Sequence, residues 1–419
     1  MSKQSPLRKK KVLVVMGTRP EVIKLAPVVE ALKRPQKASP GRAATVRKHE
    51  AGFKTVICLT GQHREMVEPF LEIFRLKPDY DLRVMVPNQH LGELTGRVLA
   101  GMKKILEAEK PDWLLVQGDT TSAMAAAMAA FYQRVKIGHV EAGLRTDDKY
   151  NPFPEEINRR LISHLADIHF APTELARKNL LAEGIRSECI YVTGNTVVDA
   201  LKMILQRTSL SSRNNFAGRT GELISIREIV ETGPEKRELA GRAAEEFNLK
   251  QIKKLILVTA HRRESFGQGM EGICQAILQI VEQVKEAEVI FPVHLNPAVR
   301  KTVLSRLRGR ERIHLLEPVD YVTFVHLMKR ASLILTDSGG IQEEAPSLGV
   351  PVVVMRETTE RPEAIKAGVA WLAGTGPEKI TGLAVRLLKK VESGEFRRRL
   401  SRRNPFGDGR AALRIRRLL

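Results

Sequence analysis

The segment LTDSGGIQEEAPSLG (residues 335–349) combines the end of an apolar strand pattern, a polar turn and the start of a helix. It continues the apolar run SLILT (332–336), which is typical of a buried β-strand. Gly339 and Gly340 fall where the helix begins, and glycines at that position let backbone N–H groups approach a phosphate. Glu344 follows one turn later, where its carboxylate could accept hydrogen bonds from ribose hydroxyls. The segment therefore predicts a nucleotide-binding strand–turn–helix unit.

The same strand–turn–helix pattern recurs along most of the chain. Its apolar runs form two sets. The first set is KVLVVMG (11–17), TVICLTG (55–61), DWLLVQGD (112–119), VKIGHVEAG (135–143), DIHFAPT (167–173) and CIYVTGN (189–195). The second is KLILVTAH (254–261), EVIFPVH (288–294), RIHLLEP (312–318), SLILTDS (332–338) and VPVVVMR (350–356). Strands that alternate with helices predict parallel sheets covered on both faces. We therefore expect two doubly wound α/β domains facing each other across a cleft, with ligands outside the carboxyl ends of the strands.

Composition excludes several classes of protein. The chain has 419 residues, of which 43% are hydrophobic and 28% charged, values that suit two globular domains. The longest bland apolar run, AMAAAMAAFY (123–132), is well short of the about 18 residues of a membrane span. The basic start of the chain lacks the apolar stretch of a signal peptide. Cys58, Cys189 and Cys274 have no metal-ligand spacing, so we expect a cytoplasmic protein without a metal site.

The formal net charge of +21 is concentrated in three segments. They are the first eleven residues, residues 33–49 and the tail at 396–419. A basic excess can indicate nucleic-acid binding, but neither a zinc-finger spacing nor an RNA-binding aromatic signature accompanies it. We therefore expect neither a nucleic acid nor a membrane as a partner.

The end of the first strand, GTRPE (17–21), predicts a well-formed helix start. Thr18 and Glu21 have capping-box spacing, and Pro20 suits the first helical turn. Arg19 is not explained by capping, because a guanidinium is unfavourable at the positive end of a helix dipole unless an anion binds there. The loop lacks the Gly-Lys-Ser/Thr ending of a P-loop, so ATP is not indicated.

Two further strand ends carry carboxylates. Asp119 lies in QGDTTS (117–122), where it could simply cap the following helix. Glu141 lies in HVEAG (139–143) and has no such capping role. Consecutive strands of a doubly wound sheet are often neighbours, so Asp119 and Glu141 could lie on the same sheet edge.

The segment PFPEEINRR (152–160) predicts a helix that starts at a proline. Glu155 and Glu156 complement the dipole of its first turn and stand four residues from Arg159 and Arg160. For Glu156 this surface ion-pair arrangement is a sufficient explanation. For Glu155 a structural role and a catalytic role remain equally open.

Gly267, Gly269 and Gly272 match the G-x-G-x-x-G pattern of dinucleotide sites. The match lies several residues beyond its strand, and no ribose-binding acid follows at the expected distance. We therefore reject a dinucleotide site and expect no cofactor.

Taken together, the motifs resemble those of the non-hydrolysing UDP-N-acetylglucosamine 2-epimerases. They are GTRPE, GQHREM, GDTT, GHVEAGLRT, PEE-N-R, TGNT, HRRES, PVHLNP, DSGGIQEEAPSLG and TTERPE. The resemblance extends from Lys11 to about Arg410 and implies a glycosyltransferase-B-like fold with the active site in the cleft between two Rossmann-like domains. The implied domains are 1–193 and 194–395, the second with a linker-like insertion at about 205–242. A C-terminal helix at 396–419 would cross back to the first domain, and a homodimer is expected.

The resemblance also implies roles for individual residues. Asp119, Glu141 and Glu155 would be the acid/base carboxylates, with His261 near the diphosphate. Substrate contacts would come from Arg19, Lys24, His294, Phe324, Ser338, Gly339, Gly340, Glu344 and Arg361. Among these, Phe324 would lie against the uracil and Glu344 would bind the ribose. Gln117 departs from the family pattern, because many members have His at that position.

The activity that the resemblance implies is inversion of carbon 2, interconverting UDP-N-acetylglucosamine and UDP-N-acetylmannosamine for cell-surface polysaccharide. No carbonyl acidifies the hydrogen on that carbon, so the reaction needs either transient oxidation or elimination of UDP followed by re-addition. Elimination needs donors for the departing diphosphate and a carboxylate near carbon 2. We take Asp119 as the base and Glu141 with Glu155 as the proton-donor system. The alternatives are epimerisation of UDP-2,3-diacetamido-glucuronic acid or a UDP-sugar-dependent glycosyltransferase of the same fold.

Overall fold

A computed structural model describes residues 8–34, 52–62, 64–86, 89–211 and 251–419. Most of the linker-like insertion predicted at about 205–242 lies outside these residues. The chain forms two compact units, one reaching to Ala200 together with Gly409–Leu419, the other covering Leu201–Asp408. The unit boundaries thus differ by 7 residues from the predicted 193/194 border and by 13 from the predicted 395/396 border.

The first unit is built on a sheet whose hydrogen-bonded neighbours are all parallel. Its strands are β1 (Lys11–Met16), β2 (Lys54–Leu59), β3 (Tyr80–Asp81), β4 (Trp113–Gln117), β5 (Lys136–Val140), β6 (Ile168–Ala171) and β7 (Ile190–Val192). The strand order is β3-β2-β1-β4-β5-β6-β7. Five of the six residues of β1 are buried, as expected for a strand covered by helices on both faces.

The helices of the first unit follow its strands, as the alternating pattern predicted. They are α1 (Arg19–Lys33), α2 (Arg64–Phe74), α3 (Leu91–Glu109), α4 (Thr121–Tyr132), α5 (Glu155–Leu165), α6 (Glu174–Ala182) and the start of α7 (Thr196–Ser211). The alanine-rich α4 is buried almost all round, because small side chains allow it to pack closely between α3, α5 and the sheet.

The second unit repeats the architecture with a sheet of its own. Its strands are β8 (Lys254–Thr259), β9 (Ala287–Pro292), β10 (Ile313–Leu316), β11 (Leu333–Thr336), β12 (Val352–Val354) and β13 (Ala370–Leu372). Their order is β10-β9-β8-β11-β12-β13, again with parallel neighbours. The α/β fold with two parallel sheets that the sequence predicted is therefore confirmed.

The helices of the second unit lie between and after these strands. They are α8 (Gln268–Gln283), α9 (Pro297–Leu307), α10 (Tyr321–Arg330), α11 (Gly339–Glu344), α12 (Pro362–Lys366), α13 (Pro377–Val391) and α14 (Gly394–Arg402). The last helix, α15 (Ala411–Leu418), belongs to the first unit and packs against α1. The tail predicted as one returning helix at 396–419 is therefore two helices, of which only α15 returns.

The strand orders place a topological switch point in each unit. In the first, chain connections run in opposite directions from β1 and β4, and in the second from β8 and β11. Ligands of open parallel sheets bind outside the carboxyl ends of the strands at such points. The loops after β1, β4, β8 and β11 are therefore the positions at which to look for a site. None of the helices that the structure describes has the length and apolarity needed to cross a bilayer.

The G-x-G-x-x-G match has a packing explanation. Gly272 lies in α8, and a Cβ there would collide with the backbone carbonyl oxygen of Thr375. Gly269 faces the side chain of the same threonine. These glycines let α8 approach the segment that precedes α13.

Candidate active site

The carboxylates of the first unit lie at neighbouring strand ends. β4 pairs with β5 along its whole length, with Gln117 beside Val140. Asp119 and Glu141 each follow one of these strands, so they lie on the same edge of the sheet, as the sequence predicted. That edge adjoins the switch point between β1 and β4.

Glu141 is buried and is held by partners from α1, β4 and the loop before α7. Both of its carboxylate oxygens lie 2.6 Å from Nζ of Lys24 on α1. Gln117 donates its side-chain N–H to Oε2, and Asn195 donates to Oε1 at 3.4 Å. The backbone of Glu141 has a φ of +63°, which is uncommon for a non-glycine residue. An unusual backbone conformation and a buried ion pair at one residue are typical of a functional site.

Asp119 is not a helix cap, contrary to the simpler of the two interpretations of its sequence. Thr120 is the N-cap of α4, because its side chain accepts the backbone N–H of Ala123. The Asp119 carboxylate is instead paired with Arg159 of α5, whose Nε lies 3.0 Å from Oδ2. Burial raises the pKa of Asp119, Arg159 opposes that rise, and the nearby Glu141 adds to it. A carboxyl group whose charged form is opposed by burial and by a second carboxylate, and favoured by a cation, is a candidate for proton transfer.

Glu155 is the first residue of α5 and follows Pro154. Its Oε2 is buried and accepts no hydrogen bond from any residue that the structure describes. A buried polar atom without a partner is costly and calls for an explanation. A bound ligand that hydrogen-bonds to this oxygen would supply one.

Glu156 corrects an interpretation drawn from the sequence. It was expected to be a surface helix-start charge, but it is fully buried. Its carboxylate accepts hydrogen bonds from the backbone of Thr146 at 3.1 Å, from Arg159 at 3.1 Å and from Arg160 at 3.0 Å. Its role is to hold two arginines of α5, one of which is the partner of Asp119.

The helix start at GTRPE has the predicted capping box between Thr18 and Glu21. Glu21 is buried and also accepts a hydrogen bond at 2.8 Å from Thr120, so it links the first turns of α1 and α4. Burial raises the pKa of Glu21. Arg19 is exposed, with its guanidinium 5.8 Å from the centre of the Phe70 ring. Lys24, expected to contact substrate, is the partner of Glu141.

In the second unit, His261 follows β8 and is held by Asp337, a residue that sequence analysis did not single out. Asp337 follows the neighbouring strand β11 and is fully buried. Its Oδ2 accepts the backbone N–H groups of His261 at 2.7 Å and Arg262 at 2.8 Å, and the His261 Nδ1 lies 3.1 Å from Oδ1. Burial opposes ionisation of Asp337, but His261 and these N–H groups outweigh it and lower its pKa. Its position just before the Ser-Gly-Gly turn was the available sequence signal.

His294 follows β9 and lies beside His261. The two rings are stacked, with centroids 5.7 Å apart and planes inclined by 25°. The backbone N–H of Asn296 donates to Nδ1 of His294 at 3.2 Å, so in the neutral ring Nε2 carries the proton. Burial and the neighbouring His261 lower the pKa of His294. A neutral ring with an outward N–H can donate a hydrogen bond to an anionic ligand.

The Ser-Gly-Gly turn has the predicted form. Ser338 is the N-cap of α11, and its backbone N–H donates to the Thr336 hydroxyl at 3.0 Å. A Cβ added at Gly339 or Gly340 would meet nothing within 4 Å. The first turn of α11 therefore has open space on the side where the missing side chains would project, as a phosphate needs.

The remaining expected contacts lie around α10 and α11. Glu344 is buried and accepts a hydrogen bond at 3.2 Å from the phenol of Tyr321, another residue that sequence analysis missed. Phe324 is half-buried on the same helix as Tyr321. Arg361 donates from Nε to the buried carboxylate of Glu343. Tyr321 therefore places Glu344, the expected ribose ligand, against the helix that carries Phe324.

Most of the expected residues thus fall into two sets, one in each unit, while Arg19, Phe324, Glu344 and Arg361 have the separate surroundings described above. The first comprises Lys24, Asp119 and Glu141, with Arg159 added and with Glu155 on the same helix as Arg159. The second comprises His261, His294 and the 338–340 turn. His261 follows β8, His294 follows β9 and the turn follows β11, and these three strands are neighbours in the order β9-β8-β11. Among the described residues, no group of three or more His, Cys, Asp or Glu side chains could hold a metal ion.

Two doubly wound units of this kind define the glycosyltransferase-B-like class of α/β proteins. The family model described as UDP-N-acetylglucosamine 2-epimerase matches residues 45–419, and the chain belongs to that family. It is 49% identical over 406 residues to a UDP-N-acetylglucosamine 2-epimerase of Salmonella typhimurium, covering 97% of each chain. The corresponding enzyme of Escherichia coli is 46% identical over 405 residues, with the same coverage.

Solved structures agree with the sequence comparisons. A UDP-N-acetylglucosamine 2-epimerase from Neisseria meningitidis, bound to UDP-N-acetylglucosamine, is 42% identical, with a TM-score of 0.75 and coverage of 97% of this chain and 98% of that one. A similar protein from Listeria monocytogenes gives a TM-score of 0.79 at 42% identity, with 97% and 95% coverage.

Proposed function

We propose that the protein interconverts UDP-N-acetylglucosamine and UDP-N-acetylmannosamine by inverting carbon 2 of the sugar. The observation that carries this proposal is a pair of ion-paired carboxylates, the half-buried Asp119 and the buried Glu141, on the sheet edge where ligands of this fold bind. The family and the Neisseria meningitidis relative, which holds UDP-N-acetylglucosamine, support the same substrate.

The proposed chemistry is elimination followed by re-addition. UDP leaves carbon 1 while a base removes the hydrogen from carbon 2, which forms a glycal. Protonation of the glycal on the opposite face and return of UDP to carbon 1 complete the inversion. Each step needs a proton acceptor or donor at carbon 2 and stabilisation of the free diphosphate.

We assign the proton transfers to the first unit. Asp119 is the proposed base, since its carboxylate is held by Arg159 at the sheet edge. Glu141 and Glu155 form the proposed donor system for the opposite face. Glu155 begins the helix that carries Arg159, and its Oε2 has no hydrogen-bond partner among the described residues.

We assign the diphosphate and nucleoside to the second unit. The open backbone of residues 338–340 and the ring N–H of His294 are donors of the kind that stabilise a departing diphosphate. His261 lies beside them, and Glu344 with Phe324 would contact the ribose and the uracil. Loss of one well-aimed donor of this kind typically costs about 2.7–4 kcal/mol of transition-state stabilisation. Arg19 and Arg361 would complete the contacts to substrate.

The proposal is tested by incubating the purified protein with UDP-N-acetylglucosamine alone in D2O. We expect both epimers to accumulate, each with deuterium at carbon 2, as measured by proton and carbon NMR. Epimers without deuterium would exclude elimination with solvent exchange. A protein that forms no epimer until an acceptor is added would instead be a glycosyltransferase, which we do not favour.

The same assay separates the related substrate. UDP-2,3-diacetamido-glucuronic acid differs at carbons 3 and 6, so an enzyme specific for it would convert it much faster than UDP-N-acetylglucosamine. We expect kcat/KM to be higher for UDP-N-acetylglucosamine than for UDP-2,3-diacetamido-glucuronic acid.

We also propose that the protein is a homodimer. Phe131 and Tyr132 at the end of α4 and Ile157 and Leu161 on the adjoining α5 are large exposed apolar side chains. Exposed apolar groups on two helices that pack together favour an interface. Light scattering after gel filtration is expected to give twice the chain mass of 46.9 kDa, and a single-chain mass would refute the proposal.

A cytoplasmic location is proposed from the cysteines. Cys58, Cys189 and Cys274 are free thiols in the structure, and burial raises the pKa of Cys58 and Cys274 to about 12. Cysteines that form no disulfide are typical of a reducing compartment.

A further inference from the structure

The carboxylate of Asp119 is held on one oxygen only. Both Nε and Nη2 of Arg159 donate to Oδ2, the first at 3.0 Å. No residue that the structure describes donates a hydrogen bond to Oδ1. The two oxygens of this carboxylate therefore have different surroundings, one bound to a guanidinium and the other unoccupied by protein donors.

The Arg159 side chain is held in place by a second carboxylate, that of Glu156. Its Nη1 donates at 3.1 Å to Glu156, which is fully buried and also accepts from Arg160 and the backbone of Thr146. The Arg159 side chain is 11% exposed. A guanidinium held on two sides by carboxylates keeps its planar fork in one orientation, which a flexible lysine cannot do.

The backbone that carries Asp119 is also held. Asn158, next to Arg159 on α5, donates its side-chain N–H to the carbonyl of Asp119 at 2.9 Å. His139 of β5 donates Nε2–H to the carbonyl of Gly118 at 2.7 Å. The turn after β4 is thus fixed by one residue from the neighbouring strand and two from α5.

Three charged groups face the Asp119 carboxylate. Arg159 approaches from α5, Glu141 from the end of β5 and Lys24 from α1. Burial raises the pKa of Asp119, and Arg159 is the largest influence that lowers it. Removing Arg159 would leave burial and Glu141 opposed only by Lys24, so the carboxylate would remain protonated to a higher pH.

We propose that Arg159 is a positioning residue that binds Oδ2 of Asp119 and so presents Oδ1 as the oxygen that exchanges the proton with carbon 2. This inference rests on the proposed function. In the elimination, an O–H bond forms at Oδ1 as the C2–H bond breaks. The C–H electron pair becomes the C1–C2 double bond, and the C1–O pair departs with UDP.

The test compares Arg159→Met with Arg160→Met. The two arginines are adjacent on α5 and both bind Glu156, but only Arg159 contacts Asp119. For Arg159→Met we expect kcat to fall by about 100-fold, because small misplacements of a reacting group have effects of that size, with KM changed less than threefold. The acidic limb of its kcat–pH profile should move upward by about one unit or more, because an opposite charge lowers a carboxyl pKa by about that amount.

The other variants define the alternatives. Arg160→Met should keep the acidic limb of the wild-type kcat–pH profile and stay within about threefold of wild-type kcat, because Arg160 is partly exposed and does not contact Asp119. Arg159→Lys restores a positive charge without the planar fork, so the limb should return towards that of the wild type while kcat recovers only in part. If Arg159→Met does not fold, Arg159→Lys decides. A wild-type kcat for Arg159→Lys would overturn the inference. So would acidic limbs of the kcat–pH profile that move equally in Arg159→Met and Arg160→Met.

A second readout does not depend on activity. Aspartate labelled with carbon-13 at the carboxyl carbon allows NMR titration of Asp119 in the unliganded protein, with Asp119→Asn giving the assignment. The Asp119 pKa should be higher in Arg159→Met than in wild type or Arg160→Met, and equal values would refute the inference. If the wild type titrates as expected but does not convert UDP-N-acetylglucosamine, the proposed function fails while the Arg159–Asp119 contact stands.

Discussion

The carboxylate of Asp119 lies between a guanidinium and a second carboxylate, and each neighbour has an opposite effect on its protonation. Its sequence context allowed either a helix cap or an acid/base group, and the cap is Thr120. What distinguishes Asp119 is its contact with Arg159, which is 40 residues away in the chain. A residue's neighbours in sequence therefore do not reveal its role here.

Replacement of Asp119 by asparagine tests its role directly. The change keeps the shape of the side chain but removes its ability to accept a proton. We expect kcat to fall by about 100- to 10,000-fold, the range for loss of a general base, with little change in KM. Circular dichroism should be that of the wild type.

The matched control for that variant is Asp147→Asn. Asp147 lies in the loop before α5, its side chain is 89% exposed, and its positive φ suits asparagine. Its kcat should equal that of the wild type. An Asp119→Asn protein that keeps more than a tenth of wild-type kcat would exclude Asp119 as the base.

At the scale of elements, the neighbouring strands β5 and β6 carry a pair of buried histidines. His139 and His169 are partners in the register of the two strands, and both are almost fully buried. Burial lowers the pKa of His139 to about 3 and that of His169 to about 4. Both are therefore neutral in the folded protein at pH values where an unfolded histidine is protonated.

This pair makes stability depend on pH in a defined direction. Below the ordinary histidine pKa the unfolded chain binds more protons than the folded one, so the free energy of unfolding falls as pH decreases from 6.5 towards 4. Each buried histidine contributes a slope of at most about 1.4 kcal/mol per pH unit. Urea unfolding of His169→Gln should be measured between pH 4.5 and 7. Its free energy of unfolding should change with pH less steeply than that of the wild type, and the difference should correspond to about one bound proton.

Gln133→Ala is the control for the pH experiment, because Gln133 is exposed in the same unit and carries no titratable group. Its slope should match that of the wild type. If His169→Gln and the wild type had equal slopes, His169 would not be the buried neutral group that the structure indicates.

A carboxylate from α7 binds the start of the returning helix α15. Asp199 of α7 is buried and accepts the backbone N–H groups of Ala411 at 3.1 Å and Ala412 at 3.0 Å. These are among the N–H groups that a helix leaves without an internal partner. The end of the chain is thus attached to the first unit by a side chain more than 200 residues earlier in the sequence.

Asp199→Ala should therefore loosen α15. We expect the free energy of unfolding to fall by about 1–3 kcal/mol, because buried N–H groups lose their acceptor. Trypsin should cleave after Arg414 in the native variant faster than in the wild type. Asp199→Asn, which keeps one acceptor oxygen, should lie between the two, and cleavage of Asp199→Ala at the wild-type rate would contradict this account.

At the scale of the whole molecule, the two units carry different parts of the proposed chemistry. Proton-transfer groups lie in the first unit and candidate phosphate and ribose contacts in the second. UDP alone should stabilise the protein against unfolding, by about 2.7 kcal/mol at a concentration 100 times its Kd.

The effect of UDP should depend on Glu344 but not on Asp119. Loss of a hydrogen bond to a charged group costs about 1.5–3 kcal/mol, so Glu344→Gln should lose much of the stabilisation measured by thermal unfolding with UDP. Glu378→Gln, an exposed change in the same unit, and Asp119→Asn should keep it. If UDP stabilised Glu344→Gln as much as the wild type, Glu344 would not be a ligand of the nucleotide.

The sequence by itself determined the parallel α/β architecture, because strand and helix periodicities are local and repeat along the chain. It also located the Thr18–Glu21 capping box, the turn at 338–340 and the strand ends that bear Asp119 and Glu141. Only the tertiary structure decided which side chains pair. Arg159 with Asp119, Lys24 with Glu141 and Asp337 with the His261 loop are contacts between distant segments, and they depend on strand order. Burial is likewise a property of the packed whole, so Glu156 has the sequence pattern of a surface charge but lies fully buried among arginines.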